Sequence, residues 1–348
     1  MKKVLVLGST GSLGKQTLQL LNKYRKEFEV IGLCANQNGD LLNDQLREFP
    51  NASVLLISRD GKKALNNFVE SGPADLVINV LAGTIATDAT IKALKKGKQV
   101  LLANKEAIIC RGQNLTQLNQ DLIKETGVDH LIPLDSEHNA IYEILRHASS
   151  ISKNPQTLKV KNIYLPCSGG PLLGKTKKDL KNLTLSQILK HPKWSMGAKI
   201  SLESALLINK GLEIIEAHYL FNLPLNKIKT FLHPECQIHG IVEFTNGQIY
   251  SYKSQPDMAE HIENALLRSI NGQPNLKSKI KKITPAQFKK LTSKKVSQAL
   301  FPGINLILNL FKTSPKSLKP FLQKEEKLIA KLLTGKITLQ EFLKNLLA

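Results

Sequence analysis

Short runs of aliphatic and β-branched residues recur through the first third of the chain, at 4–7, 30–34, 54–57, 76–80 and 100–102. They alternate with segments whose apolar positions follow helical spacing. Strand and helix in alternation predict an α/β region built on a doubly wound parallel sheet. A further apolar run at 131–134 predicts one more strand, followed by a helical pattern over 137–147 and an extended one over 159–165. A second domain, of α+β character, therefore starts near residue 133. Within it, residues 168–199 are rich in lysine, glycine and proline and have few apolar positions for their length, which predicts a mobile lid. From Ala286 onward the pattern is helical again. Thr284-Pro285 suits an N-cap and first helical position, and Ile304, Leu306, Ile307 and Leu310 fall at amphipathic spacing. Pro315, Pro320 and Gly335 punctuate this tail, which reads as a small C-terminal helical domain. The expected divisions are 1–132, 133–265, a linker at 266–284, and 285–348. There is no internal repeat.

Composition narrows the class. A chain of 348 residues with 42% hydrophobic content exceeds what one core usually supports, in keeping with several domains. No stretch approaches the roughly 18 consecutive apolar residues of a membrane-spanning helix. The apolar run after Met1-Lys2-Lys3 is too short for a secretion signal, and Gly8 breaks it. Cys34, Cys110, Cys167 and Cys236 lie far apart with no Cys-x-x-Cys spacing, which argues against a disulfide scaffold and a zinc site. The expectation is a reducing cytoplasm and no membrane partner. A net charge of +21 raises nucleic acid as a partner. Only six of the 49 basic residues are arginine, however, and no recognition-helix or zinc-finger pattern accompanies the lysines. The charge reads as a solvated surface, and no nucleic-acid partner is expected.

Several motifs carry chemistry. Gly8-Ser9-Thr10-Gly11-Ser12-Leu13-Gly14 lies between the first strand and a helix, where glycines let backbone amides approach a pyrophosphate. At the end of the second strand, an NAD enzyme would place a carboxylate for the ribose 2′-hydroxyl. This chain has Ala35-Asn36-Gln37-Asn38, whose neutral amides tolerate a 2′-phosphate and favour NADP. Asn104-Lys105-Glu106 follows a strand at the carboxyl edge of the sheet, where ligands bind; Lys105 reads as a donor to a substrate oxygen or as a solvated loop lysine. Asp135 and Glu137, two residues apart after another strand, can face one cation. Carboxylates without cysteine or histidine suit Mg²⁺ or Mn²⁺ better than zinc. Glu213 is the candidate third ligand, with Glu216 on the same helix face; the alternative is that both are surface charges beside Lys210. Ser168-Gly169-Gly170-Pro171 and the group Ser204, Asn209 and Lys210 offer hydroxyl, amide and ammonium donors for a phosphate, although Gly-Gly-Pro is also a common turn. His191-Pro192-Lys193-Trp194-Ser195-Met196-Gly197 holds the chain's one tryptophan, which reads as a cap over ligand or as an anchor on the domain surface.

Taken together, the motifs at 8–14, 102–106, 135–140, 168–171, 191–197 and 209–213 resemble, in order and spacing, the 1-deoxy-D-xylulose-5-phosphate reductoisomerase family over about residues 1–258. The resemblance implies an N-terminal Rossmann-like sheet, a central catalytic α+β domain and a small helical domain. It also implies NADPH and a divalent metal (Mg²⁺, Mn²⁺ or Co²⁺) as cofactors, a small phosphorylated ketose as substrate, a role in isoprenoid precursor synthesis and a homodimer. By position, Thr10, Gly11, Ser12, Leu13, Asn36, Gln37, Asn38, Asn104, Glu106 and Gly197 would contact NADPH. Asp135, Glu137 and Glu213 would bind metal. Lys105, Ser136, Glu137 and His191 would meet the reacting oxygens, with Lys105, Glu137 and His191 catalytic. Ser168, Ser204, Asn209 and Lys210 would hold the phosphate, and Trp194 and Met196 would lie on the lid. The chain departs from the family pattern at Gln37, where many relatives carry a basic residue. It departs again after Pro256-Asp257-Met258 and at 323–327. Two other readings are an oxidoreductase acting on a different small substrate with NADP and a non-catalytic nucleotide-binding descendant.

Overall fold

The computed structural model describes residues 1–152, 158–175, 184–189, 197–271, 274, 276, 278–296 and 301–347. The chain forms two compact units, Met1–Asn139 with Asp257–Asn275, and Ala140–Pro256 with Leu276–Ala348.

In the first unit, strands β1 (Lys2–Leu7), β2 (Phe28–Ala35), β3 (Ser53–Leu56), β4 (Leu76–Asn79), β5 (Gln99–Leu102) and β6 (Leu131–Pro133) make one sheet in the order β3-β2-β1-β4-β5-β6. Every neighbouring pair is parallel. Helices α1 (Ser12–Lys23), α2 (Gly39–Glu48), α3 (Ile57–Ser71), α4 (Thr87–Lys95) and α5 (Lys105–Thr126) connect successive strands. The middle strands β4 and β5 are buried at every residue, as apolar runs covered on both faces must be. Strand order reverses between β1 and β4, which opens a crevice at the carboxyl ends of these two strands. α6 (Ser136–Ile151) begins in this unit at the end of β6.

In the second unit, β7 (Val160–Cys167), β8 (Ile228–Leu232), β9 (Ile238–Phe244), β10 (Ile249–Lys253) and β11 (Ile280–Lys282) form a sheet in the order β11-β10-β9-β7-β8. Only β7 and β8 run parallel. Phe231, Ile238, Ile241 and Ile249 form a core here, with Tyr164, Phe288 and Leu291 packed against it. The short α7 (Leu185–Leu189) and α8 (Ala198–Ala205) precede α9 (Ile208–Leu220). α10 (Met258–Ser269) belongs to the first unit, where Lys23 and Tyr24 at the end of α1 both reach Glu263, the lysine at 2.6 Å. The tail comprises α11 (Pro285–Leu291), α12 (Gly303–Thr313), α13 (Leu318–Leu333) and α14 (Leu339–Leu347). Thr284 caps α11 in a capping box with Gln287, and Pro285 opens the helix, as the sequence predicts. Among the described residues no helix is long and apolar enough to cross a membrane.

α12 packs against α9, and two glycines set how closely. A Cβ added at Gly211 would lie 2.9 Å from the Ile307 Cβ. One added at Gly303 would lie 2.5 Å from the Leu206 carbonyl oxygen and 2.6 Å from the Ile208 nitrogen. Neither contact is possible without moving backbone, so the helices can meet this closely only because both positions lack a side chain. Gly303→Ala is accordingly expected to destabilise the second unit by about 2 kcal/mol, read as a lower urea midpoint with an unchanged slope.

Candidate active site

The glycine motif forms the turn from β1 into α1. Gly8 sits at φ +95°, and a Cβ there would meet Val80 and Leu81 backbone at 2.8 to 2.9 Å. At Gly14 a Cβ would approach the Gly8 carbonyl oxygen to 2.2 Å, so the first turn of α1 presses directly on the loop. The amides of Gly8 and Ser9 donate to the Cys34 carbonyl at 2.7 and 3.0 Å and fix the turn to the end of β2. Gly11 caps α1 without a side-chain hydrogen bond. The first-turn amides of a helix lack intrahelical acceptors and carry the positive end of its dipole, which suits an anion. Burial pushes the Cys34 thiol up to about 12, so it is no nucleophile at neutral pH.

At the end of β2, Asn38 accepts the Leu41 amide at 3.0 Å and caps α2. The Asn36 carbonyl accepts the Ser58 amide at 2.9 Å, which brings the start of α3 beside the Asn36-Gln37-Asn38 turn. Arg59 follows there, exposed and paired with Asp60 through contacts of 2.7 and 3.0 Å. The sequence reading finds no cation near this turn because Arg59 is distant in the chain. The parallel register that sets Ala35 opposite Leu56 carries it there.

Beyond β5, Asn104 is buried and does several tasks at once. Its oxygen caps α5 at the Ala107 amide, 3.0 Å away, and its nitrogen donates to the carbonyls of Leu81 and Gly83 at 2.7 and 2.8 Å. Glu106 accepts the Gly83 amide at 2.9 Å. The pair thus clamps the loop after β4, at the crevice. Lys105 is no solvated loop lysine: its ammonium lies 2.8 Å from the Asp135 carboxylate, and both side chains are largely buried. Asp135 leads into α6, with its carbonyl accepting the Asn139 amide at 2.8 Å. Oxygens of Asp135 and Glu137 lie within 4.8 Å of each other, and Ser136 donates to Glu137. Asn139 braces the segment, donating to the Pro133 carbonyl at 3.1 Å while its own oxygen lies 3.1 Å from Nδ1 of His261 on α10.

In the second unit, Ser168, Gly169 and Gly170 turn sharply after β7, with the Ser168 hydroxyl accepting the Gly170 amide at 3.0 Å. Gly169 and Gly170 are both left-handed, at φ +81° and +54°. Gly170 backs onto Ser204 and Ala205 at the end of α8, where an added Cβ would lie 3.5 Å from Ala205 Cα. The two candidate phosphate-binding stretches are thereby adjacent. Gly197 caps α8. On α9, Asn209 and Lys210 both donate to Glu213. Lys210, Glu213 and Glu216 are all buried, which overturns the reading of the two glutamates as surface charges. His191, Trp194 and Met196 lie outside the described residues.

Comparison with known proteins identifies the family of the chain. The family model for 1-deoxy-D-xylulose 5-phosphate reductoisomerase matches residues 4–61 and 56–112, and that for the C-terminal domain of the same enzyme matches 131–221. The reductoisomerase of Caldanaerobacter subterraneus is 40% identical over 283 residues, covering 76% of this chain and 71% of that protein. The chain belongs to the 1-deoxy-D-xylulose 5-phosphate reductoisomerase family. A reductoisomerase from Pelodictyon phaeoclathratiforme is 35% identical over 330 residues, covering 90% of this chain and 82% of its own. Among solved structures, the Zymomonas mobilis reductoisomerase in complex with NADPH superposes with a TM-score of 0.77 at 28% identity, over 99% of this chain and 89% of that one. A reductoisomerase in complex with NADPH, fosmidomycin and magnesium gives 0.79 at 25% identity, over 100% and 89%.

In this member of the reductoisomerase family Asn104 has a structural task of its own. Asn104→Ala removes a helix cap and the donor to two buried carbonyls. It is expected to destabilise the first unit by about 2 kcal/mol, measured by chemical denaturation.

Proposed function

We propose that the chain catalyses the divalent-metal-dependent conversion of 1-deoxy-D-xylulose 5-phosphate to 2-C-methyl-D-erythritol 4-phosphate, a step of isoprenoid precursor synthesis: rearrangement of the carbon skeleton to an aldehyde, then reduction by NADPH. Membership of the family supports this reading. The observation that carries it is that the partly buried Asp135 and the buried Glu213 are each neutralised by a neighbouring lysine, Lys105 and Lys210. An ammonium there does the electrostatic work of a cation, and the oxygen-only donor set of Asp135, Glu137 and Glu213 suits a hard divalent ion. Asp135, Glu137 and Glu213 would hold such an ion, with Lys105 serving the reacting oxygens and Lys210 the phosphate.

When bound, the metal supplies charge stabilisation at the substrate oxygens and NADPH supplies hydride. The remaining work belongs to the chain. The turn at Thr10, Gly11, Ser12 and Leu13 would hold the cofactor's diphosphate, with Asn36, Gln37 and Asn38 at the adenosine ribose and Asn104, Glu106 and Gly197 completing the site. Lys105, Ser136, Glu137 and His191 would orient the reacting oxygens. Ser168, Ser204, Asn209 and Lys210 would grip the phosphate, so that binding energy remote from the reacting carbons serves orientation and exclusion of water. Trp194 would cover the substrate. In this reading the first unit is the NADPH-binding domain and the second carries the phosphate-binding stretches and the helical tail, in a cytoplasmic homodimer. The expected bounds at 133–265, 266–284 and 285–348 give way to these units because α10 packs with the first.

The direct test is oxidation of NADPH that requires both the ketose phosphate and Mg²⁺ and stops in EDTA; activity persisting in EDTA would sink the metal assignment. Asp135→Asn and Glu213→Gln are expected to abolish turnover and leave NADPH affinity unchanged, as followed by cofactor fluorescence. NADPH is expected to bind more tightly than NADH, and Arg59→Ala to reduce that preference about tenfold through loss of a charge-assisted contact. Fluorescence titration of both nucleotides measures both effects.

A further inference from the structure

The turn between β8 and β9 is closed by the Cys236 amide donating to the His233 carbonyl at 3.1 Å and is clamped by the His233 side chain. His233 follows β8 directly, and its backbone amide donates to the Cys167 carbonyl at 2.7 Å, extending the pairing that sets Cys167 opposite Leu232. Its ring nitrogen Nε2 accepts the amides of both Gln237 and Ile238, at 3.2 and 3.0 Å. Two donors converging on Nε2 require a lone pair there, which places the ring proton on Nδ1, 3.2 Å from the Glu235 carboxylate. Between these points Cys236 is forced to φ +53° with its side chain buried, a conformation costing a non-glycine residue roughly 1 kcal/mol or more. The imidazole adds a second clamp to the turn's own backbone bond. The Ser254 amide, donating to the Gln237 carbonyl at 2.9 Å, ties the far side of the turn to β10.

Cys167 is the last residue before the Ser168 turn. The Leu232 side chain lies 3.4 Å from where a Gly169 Cβ would stand, and Gly170 rests on the backbone of Ser204 and Ala205. The β8 end is therefore the floor on which Ser168 and its neighbour Ser204 are placed. We propose that His233 is a positioning residue for the substrate phosphate, closing the β8–β9 turn through its ring and thereby holding Ser168 in place. This inference rests on the phosphate reading of Ser168 above.

The clamp depends on protonation. A protonated imidazole has two donors and no acceptor, so the Gln237 and Ile238 amides would both lose their partner. Burial lowers the His233 pKa from its ordinary 6.5, Glu235 acts in the opposite sense, and His239, Lys253 and Lys294 reinforce the lowering. Because the folded value lies below the unfolded one, the clamp is intact above 6.5 and is lost as pH falls through the folded value. Affinity for the phosphorylated substrate should fall with it, while the chemical step changes less.

The test compares KM and kcat for 1-deoxy-D-xylulose 5-phosphate from about pH 5.5 to 8 in the wild type, His233→Gln and His233→Leu. The glutamine oxygen can accept both amides and does not titrate. His233→Leu is expected to raise KM about tenfold with little change in kcat. His233→Gln should restore KM at neutral pH and lack the extra rise at acid pH. The substrate phosphate titrates near pH 6 in every variant, so the ring's share is the difference between wild type and His233→Gln. Coincident profiles for those two proteins would overturn the proposal even if the leucine variant fails to fold. So would a leucine variant that loses kcat and keeps its KM. Ser168→Ala separates the two layers of inference. An unchanged KM there would remove the phosphate reading and the role of His233 together, whereas a raised KM beside coincident His233 profiles would remove the positioning role alone.

Discussion

A carboxylate taken out of water must find a counter-charge or lose its own, because an uncompensated buried anion costs several kcal/mol. This constraint shapes both units. In the first, Asp135 closes the sixth strand of the parallel sheet and leans on Lys105 at 2.8 Å. In the second, α9 is buried on nearly every side yet carries Glu213 and Glu216, and Lys210 and Asn209 converge on Glu213. Neither arrangement would be selected for stability alone, since apolar residues of similar size would serve a core as well or better. In the proposed function these carboxylates would serve a metal, and the two ammonium groups the substrate oxygens and the phosphate.

Around those charges the chain builds rigidity from amides. Asn104 holds four partners from one side chain, Asn139 ties the acidic segment to α10, and Asn38 caps α2. Each of these saturates hydrogen-bonding groups that water could otherwise compete for, so the loops at the carboxyl edge are placed before any ligand arrives. Preorganisation of this kind lowers the entropy lost on binding. It also means that a residue lying in a ligand motif can have a structural task, as Asn104 and Glu106 do.

Much of this was legible in the sequence, for identifiable reasons. The parallel sheet announced itself because strands buried on both faces are apolar throughout, and the capping box at Thr284 because a cap is a local chemical event. The glycine turn could be read because Gly8 and Gly14 each answer a backbone contact that excludes a side chain. Arg59 beside Asn36, and His233 clamping a turn next to Ser168, were invisible for the opposite reason. Each depends on strand register, which brings residues together across long stretches of chain and leaves no local trace in composition or spacing. The burial of Glu213 and Glu216 was equally hidden. A charged pair at helical spacing looks like a solvated face until the covering helix is known.

The C-terminal helices serve the fold through shape. α12 must present a close-fitting apolar surface to α9, and the demands it meets are of shape: Gly303 against the Leu206 carbonyl, and Ile307 over Gly211. Farther out, α13 buries Leu318, Phe321, Leu322 and Leu332 in the ordinary way of an amphipathic helix. Requirements of volume and periodicity can be satisfied by many sequences, whereas a buried carboxylate with its lysine can be satisfied by few. The motifs of the proposed site are therefore tightly specified, whereas the face of α9 at Gly211 asks of α12 only a matching shape.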